Sequence, residues 1–386
     1  GKYYVTRNGS SLIAFVVPEN VSGFHIAASH SDSPTFKIKE IPELSVGKKY
    51  TKLNVEGYGG MIMSTWFDRP LSVAGRVMVR TENGVETRLV HVDQDLLIIP
   101  SVAIHMNRGV NDGYKYNVQK DLLPLYGTGN AKDAFMKCVA EAAGVTEESI
   151  LGKDLYLYPR TKGCIWGAEQ EFISSPRLDD LQSTFASMQG LLKAEHHGQV
   201  SMIAVLDNEE VGSSTKQGAD SDFLKETVFR ICKECGLDEI DRRRVMASSF
   251  MVSADNAHAA HPNAMEKADE TNRPFMNEGI VIKYNGNQKY TSDAVSSAIF
   301  KMICERADVP YQTFMNRSDM AGGSTLGNIS NTQLSMNTVD IGLAQLAMHS
   351  AYETAGAKDT VYMIEALNTF FESKMICVED GIYSLK

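Results

Sequence analysis

Residues 204 to 214 read "AVLDNEEVGSS", and this stretch carries most of the information about the fold. The apolar run Ala204–Leu206 is typical of a buried strand, yet three carboxylates follow within four positions, at Asp207, Glu209 and Glu210. Such a tight acidic cluster repels itself unless cations lie nearby. The stretch therefore indicates either a solvated acidic turn or a strand whose end binds positive ions.

The rest of the chain divides into two regions with different secondary-structure patterns. After about residue 160, helical patterns alternate with short apolar runs, which predicts an α/β sheet. The predicted helices cover 181–194, 223–235, 294–306 and 345–354, and the predicted strands cover 202–206 and 248–252. Between residues 51 and 97 only short β runs with turn signals occur, followed by a predicted helix at 132–144. We expect an α/β domain formed by 1–45 and 159–386, with a β-rich insertion at 46–158.

Composition limits the possible functions. With 386 residues and 43% hydrophobic content, the chain is long enough for two domains. A net charge of −10 argues against nucleic-acid or anionic-membrane binding, because those partners require clusters of Lys and Arg. There is no apolar run of about 18 residues and no signal-peptide pattern. The six scattered cysteines indicate reduced thiols and a cytoplasmic location. The chain begins without a methionine, so we expect further residues upstream of Gly1.

Five short segments place metal-type ligands where an apolar strand or helix ends or begins. In an open α/β sheet, ligands collect outside the carboxyl ends of the strands. Four of the five segments fall at the end of a predicted strand or in the loop that follows, which favours one shared site. The candidate residues are His30 and Asp32, Asp179 and Asp180, Glu209 and Glu210, Asp255, and His349.

The spacing of these residues suggests roles. His30 and Asp32 are two apart, so an extended backbone projects them to the same side. Asp32 would then hold the second nitrogen of a metal-bound imidazole, although an isolated pair of this kind is more often a surface feature. Glu209 and Glu210 are adjacent and point in different directions. One can bind a metal while the other accepts a proton from the attacking water.

Two further motifs are weaker. His258 and His261 in "HAAH" are too closely spaced for one face of a metalloprotease helix, and a proline follows at once. We interpret them as loop residues. Cys232 and Cys235 form a single "CKEC" pair within a helical pattern, which favours a structural role over a zinc site.

At these positions the sequence resembles the aspartyl aminopeptidase family of cytosolic dizinc exopeptidases. The resemblance rests on "HSDSPTFKIK", "SPRLDDLQS", "DNEEVGSS", "SADNAHAAHPN" and "AQLAMHSAYE", and it extends over nearly the whole chain. It implies a mixed-sheet, zinc-exopeptidase-like catalytic domain split by an inserted β-rich dimerisation and lid domain. The implied activity is the metal-dependent release of N-terminal Asp or Glu from peptides.

The resemblance also implies roles for individual residues. Asp179 would bridge two divalent metal ions, most often zinc, with cobalt and manganese as alternatives. His30, Asp255, Glu210 and His349 would complete the two sites, and which ion each of them binds stays open. Asp32 would orient His30, and Glu209 would be the general base.

Specificity and assembly follow from the same resemblance. Lys283 would contact the acidic side chain of the substrate, although a lysine at the end of a strand is usually solvated. His105 would reach the active site of a neighbouring subunit in a homo-oligomer, typically a tetrahedral dodecamer. Three alternatives remain: an aminopeptidase with neutral or broad specificity, a noncatalytic cage-forming relative, and a different amide hydrolase such as a deacylase.

Overall fold

The computed structural model describes every residue from Gly1 to Lys386. The strands are β1 Lys2–Arg7, β2 Ser11–Val16, β3 Phe24–His30, β4 Thr35–Val46, β5 Tyr50–Tyr58, β6 Leu71–Arg80, β7 Val85–His91, β8 Leu125–Thr128, β9 Ile150–Pro159, β10 Cys164–Trp166, β11 Phe172–Ser175, β12 Val200–Leu206, β13 Phe250–Ala254, β14 Ala257–His258, β15 Ile280–Lys283, β16 Tyr311–Phe314, β17 Asn337–Gly342, β18 Ala344–Leu346, β19 Glu353–Gly356, β20 Met375–Glu379 and β21 Ile382–Leu385. The helices are α1 Val118–Asp121, α2 Phe135–Ala143, α3 Leu178–Lys193, α4 Phe223–Glu234, α5 Glu239–Ala247, α6 Ala294–Arg306, α7 Leu326–Gln333 and α8 Asp359–Glu372. Short 3-10 helices lie at Met63–Trp66, Gly129–Ala131, Glu147–Ser149, Glu209–Val211 and Met265–Lys267.

The chain divides into two compact units. The first consists of Gly1–Ser33, Cys164–Met348 and Glu353–Lys386, and the second of Pro34–Gly163 and His349–Tyr352. The sequence suggested an insertion at 46–158. The second unit starts earlier because β4 pairs with β5 and β9, which belong to the same sheet.

An eight-stranded mixed sheet forms the centre of the first unit, in the order β1-β2-β12-β3-β13-β17-β15-β16. The four central strands β12, β3, β13 and β17 are parallel, whereas β2 and β15 run antiparallel to their neighbours β12 and β17. Residues of α3, α6 and α8 join the hydrophobic cluster on one face, and residues of α4, α5 and α7 join the cluster on the other. The predicted mixed-sheet α/β class is confirmed.

The central strands are apolar because both of their faces are covered. Every residue of β3 and β12 is buried. Along β12, Ile203 and Val205 pack into one cluster, while Met202 and Ala204 pack into the other. This alternation is the period of two that a strand imposes on its side chains. The last residue of β12 is Leu206, and the polar residues that follow it lie outside the strand.

One predicted element is wrong. Residues 345–354 were expected to form a helix, but the structure has β18, a loop and β19, with Leu346 paired to Thr354 in an antiparallel ladder. Ala347 and His349 have φ values of 55° and 65°. Such left-handed residues cannot lie inside an α-helix. The helix in this region is α8, which starts a few residues later.

The second unit contains a six-stranded antiparallel sheet in the order β7-β6-β9-β4-β5-β8. Its own hydrophobic core includes Phe36 and Trp66, whose rings meet edge to face with centroids 5.2 Å apart. Phe135 and Val139 of α2 belong to the same core. Neither unit contains a helix with the length and apolar character needed to cross a membrane.

Candidate metal centre

Three parallel strands bring their carboxyl ends together in the first unit. In the register of β3 and β12, His30 lies opposite Leu206, so both strands end at the same level. Asp255 comes directly after the last residue of β13, which pairs with the other side of β3. Since side chains at such an edge converge on one place, these residues form the base of the site.

The turn after β12 places Glu209 and Glu210. Asn208 adopts a left-handed conformation with φ of 63°, which asparagine tolerates better than most residues. Thr215 Oγ1 and Gln217 Nε2 donate to Asn208 Oδ1 at 2.9 and 2.7 Å and hold this conformation. The chain then enters the 3-10 helix Glu209–Val211, in which both glutamates are only partly exposed.

The carboxylate of Asp32 fixes the backbone of this turn. Its Oδ1 and Oδ2 accept hydrogen bonds from the amides of Glu209 and Glu210 at 3.1 and 3.2 Å. His30 Nδ1 lies 3.0 Å from the main-chain oxygen of Asp32 and 3.4 Å from its carboxylate. Both the backbone carbonyl and the carboxylate of Asp32 therefore face Nδ1 of His30. The same carboxylate also holds the glutamate turn.

The other ring nitrogen of His30 faces two carboxylates. Nε2 lies 3.4 Å from Asp179 Oδ1 and 3.8 Å from Asp255 Oδ1. Ligands bound to one tetrahedral zinc ion at about 2.1 Å lie about 3.4 Å from each other. The ligand atoms of four buried residues, His30, Asp179, Asp180 and Asp255, lie within 4.8 Å of one another. His30 forms a second set with the same spacing together with the partly buried Glu209 and Glu210. The nitrogen and oxygen donors and their spacing fit a divalent ion such as zinc.

The start of α3 carries the two adjacent aspartates. Asp179 and Asp180 are buried and joined by a cis peptide bond. Glu353 accepts a hydrogen bond from the amide of Asp179 at 3.0 Å, and Asp180 Oδ2 accepts one from the amide of His30 at 3.1 Å. The aspartates are thereby attached to both β3 and β19.

The electrostatic field of the site favours positive charge. Burial raises the pKa of Asp180 well above its usual value, and the neighbouring Asp255 and Asp179 add to this effect. Burial also raises the pKa of Glu209 to about 7, with Asp255 acting in the same direction. Burial lowers the pKa of His30, but the surrounding carboxylates outweigh it and raise the pKa well above 6.5. Closely packed carboxylates of this kind are stabilised by bound cations.

Lys283 lies at the same edge, and its side chain is buried rather than solvated. Only 2% of the residue is exposed. Nζ donates to the main-chain oxygens of Asp255 and Asn256 at 2.7 and 3.2 Å and lies 3.7 Å from Asp255 Oδ2. Burial opposes the charged form, but Asp255 and other neighbours raise the pKa of Lys283 above its usual value. The ammonium group therefore stays charged beside the carboxylates.

Two other candidate histidines belong to the second unit. His349 is partly buried and belongs to the short segment His349–Tyr352 of the second unit. His105 is exposed on a loop of the second unit. The roles of these two residues stay predictions. His258 and His261 belong to none of the potential ligand sets, although His258 is the last residue of β14.

Asp180, one of the candidate ligands from the sequence, joins the ligand set beside Asp179. One residue of the site was not assigned from the sequence. Asn256 donates hydrogen bonds to Gln182 of α3 and to Gln345 of β18. Nothing in the local sequence distinguishes Asn256, because its partners are distant in the chain.

Comparison with known proteins gives consistent results. The profile of the family "Aminopeptidase I zinc metalloprotease (M18)" matches residues 1–371. A "Probable M18 family aminopeptidase 2" from Clostridium acetobutylicum is 49% identical over 380 residues, covering 96% of this chain and 88% of the relative. A solved structure of the Ape4 and Nbr1 complex has a TM-score of 0.92 and 38% identity, covering 96% of this chain and 76% of that one. The mApe1 dodecamer of S. cerevesiae has a TM-score of 0.83 and 29% identity, covering 96% and 85%.

Proposed function

The chain belongs to the M18 family of zinc aminopeptidases, and from this we propose that it releases N-terminal aspartate or glutamate from peptides by a two-metal mechanism. Membership makes the protein a metalloaminopeptidase. The acidic specificity, the number of ions and the roles of the residues are part of the proposal. The observation that carries it is the buried set of one imidazole and three carboxylates at the sheet edge.

Two divalent ions, when bound, would supply Lewis-acid activation of the peptide carbonyl and of the attacking water. We assign one ion to His30 and Asp255 and the other to Glu210 and His349, with Asp179 shared by both. The assignment does not distinguish the two ions, and exchanging them would leave the proposed chemistry the same. The three carboxylates would offset most of the charge of two divalent cations, which makes their burial favourable.

Glu209 is the proposed general base. Its carboxyl lies among the same residues but is not required as a bridging ligand, and burial raises its pKa to about 7. A base with a pKa near the working pH can both accept and release a proton. Glu209 would take the proton of the attacking water and pass it to the leaving amine. Asp32 supports this by holding the amides of the turn that carries Glu209.

Lys283 is the proposed selector for acidic substrates. A charged, buried ammonium group next to the site would attract a carboxylate side chain strongly, because little water screens it. The two hydrogen bonds that Nζ already donates to main-chain oxygens leave one of its three protons for a substrate. The same two bonds also suit a lysine with a purely structural role. A structural Lys283 would not select acidic substrates, so an aminopeptidase of broad specificity is the second candidate function.

Assembly and location complete the proposal. The similarity to a protein solved as a dodecamer supports a homo-oligomer, for which a tetrahedral dodecamer is the proposed form. The inserted β-rich unit would form the dimer contacts, and His105 would reach the site of a neighbouring subunit. We place the enzyme in the cytoplasm, where its six cysteines, none of which forms a disulfide, would stay reduced.

A panel of aminoacyl chromogenic substrates tests the proposal. The purified protein is assayed on Asp, Glu, Asn, Gln, Leu and Lys derivatives, before and after chelation and after adding back Zn²⁺, Co²⁺ or Mn²⁺. We expect activity on Asp and Glu alone, lost on chelation and restored by metal. Equal activity on Leu and Asp would support the broad-specificity candidate. No metal-dependent hydrolysis of any derivative would refute both.

A further inference from the structure

Asn256 lies directly after Asp255 and is almost completely buried, with 3% of its surface exposed. We propose that Asn256 is a positioning residue that fixes the distance between Asp255 and Asp179 and so sets the affinity of the metal centre. This inference rests on the proposed function, because it assumes that these two aspartates bind ions. Asn256 itself is not assigned any contact with an ion or substrate.

The side chain of Asn256 uses every hydrogen-bonding group it has. Nδ2 donates to Gln182 Oε1 at 3.1 Å and to Gln345 Oε1 at 3.0 Å. Oδ1 accepts from Ser183 Oγ at 3.3 Å. The main-chain oxygen of Asn256 accepts from Lys283 Nζ at 3.2 Å. A buried polar group with all its partners in place is rigid, since any movement leaves a donor or acceptor unsatisfied.

The hydrogen-bond pattern around this amide is continuous. Gln182 Nε2 donates to Thr360 Oγ1 at 2.8 Å, while Gln182 Oε1 accepts from Asn256 Nδ2. On its other side, Asn256 Oδ1 accepts from the Ser183 hydroxyl group. Asn256→Asp would lose both donor bonds, so aspartate cannot replace the amide.

The partners of Asn256 lie on the elements that carry the metal ligands. Gln182 and Ser183 are in α3, which begins at Leu178 and contains Asp179. Asn256 is bonded covalently to Asp255, and Lys283 donates to the main-chain oxygens of both Asp255 and Asn256. One amide thus connects the aspartate at the start of α3 with the aspartate after β13.

Such a connection is needed because the two aspartates repel each other. Without the Asn256 connection, this repulsion would loosen the arrangement of the carboxylates around His30, and a metal site with loosened ligands binds its ion more weakly. Removing groups that orient metal ligands typically lowers metal affinity by about 10- to 100-fold. We expect a loss in this range for Asn256→Ala.

The test compares metal affinity in the folded protein with stability in its absence. Zn²⁺ affinity is measured by competition with a chromogenic chelator for the wild type, Asn256→Ala, Gln345→Met and Thr360→Val. The last variant is the control, because Thr360 binds only the far side of Gln182 in this network. Thermal unfolding of each chelated protein reports the purely structural effect, and KM and kcat are measured at saturating metal.

We expect Asn256→Ala to bind Zn²⁺ about 10- to 100-fold more weakly, with KM little changed once metal saturates the site. Gln345→Met should show a smaller loss of the same kind, and it carries the test if Asn256→Ala does not fold. Thr360→Val should keep wild-type affinity. Affinity within threefold of the wild type in both network variants would overturn the positioning role, even if both unfold at lower temperature. If the wild type itself binds no divalent ion, the proposed function fails instead.

Discussion

His25 lies in β3, the same central strand that ends at His30, and it is the buried group whose charge should limit acid stability. The residue is 1% exposed. Its Nδ1 donates to the main-chain oxygen of Phe370 at 2.8 Å, and its ring stacks on the Phe370 ring with centroids 4.5 Å apart. Burial lowers the pKa of His25 from 6.5 to about 3, so the ring is neutral in the folded protein at physiological pH.

The sign of the effect follows from the two pKa values. The unfolded chain binds a proton at His25 below about pH 6.5, whereas the folded protein does so only near pH 3. The stability associated with the neutral ring is therefore complete above pH 6.5 and is lost as the pH falls. Between pH 7 and pH 5 the unfolded state gains about 0.7 proton at this residue, and integrating the linkage over that range gives a loss of about 2 kcal/mol.

Urea denaturation of the chelated protein at pH 7, 6 and 5 measures this loss. His25→Phe removes the titrating group and keeps the stacked ring, while costing about 1 kcal/mol at every pH for the missing hydrogen bond. We expect the wild type to lose about 2 kcal/mol more than His25→Phe between pH 7 and pH 5. His197→Gln, a change at an exposed histidine, is the matched control and should follow the wild type. Parallel curves for the wild type and His25→Phe would refute the reasoning.

Four further outcomes are expected. Glu209→Gln should keep its bound metal, measured by elemental analysis, and lose about 10²- to 10⁴-fold in kcat; near-normal turnover would remove Glu209 from the role of base. Lys283→Met should lose kcat/KM on Asp and Glu derivatives more than on Leu, and an equal loss on all three would exclude a role in specificity. Zn²⁺ at about 100 times its Kd should stabilise the folded protein by about 2.7 kcal/mol in calorimetry, unlike Mg²⁺ at the same concentration; no stabilisation would argue against a zinc site. Burial raises the pKa of Asp359 to about 6, so its contribution to stability is complete below about pH 4 and is lost as the pH rises to 6. Asp359→Asn should remove that dependence in urea titrations, and an unchanged slope would contradict it.

The elements that the sequence predicts well are those with strong local patterns. The helix expected at 294–306 has those bounds in the structure, where Asp293 and Ser296 form a capping box at its start. The strand expected at 202–206 occupies Val200–Leu206 and ends where the acidic residues begin. In both cases the side chains that define the boundary lie within the element or next to it, so the sequence contains the information locally.

The helix expected at 345–354 fails for a different reason. Its small and apolar residues suit a helix as well as a hairpin, and propensity does not decide between them. The hairpin is selected by non-local contacts: β19 pairs with β11, and β18 pairs with β14. A pattern within ten residues contains no information about strands that are distant in the chain. Pairing with those strands therefore overrides the weak helix propensity of this segment.

The same distinction applies to the site. The types of the candidate ligands are visible in the sequence, because carboxylates after an apolar strand are unusual. The details are not, because they depend on contacts between distant segments. Asp32 holds the Glu209 turn, Lys283 is buried against Asp255, and Asn256 connects α3 to β13. Each of these contacts joins segments that are far apart in the chain.

Strand register connects the local and the non-local information. Because His30 pairs with Leu206, the residues just beyond β3 and β12 lie side by side, and the Asp32 carboxylate can accept from the amides of the next turn. A shift of one residue between these strands would turn every side chain of β12 to the opposite face and place Met202 and Ala204 in the wrong cluster. The apolar alternation of the core therefore fixes the register, and the register fixes the positions from which the ligands approach. The hydrophobic residues of the central strands thus help to determine the geometry of a charged site at the end of those strands.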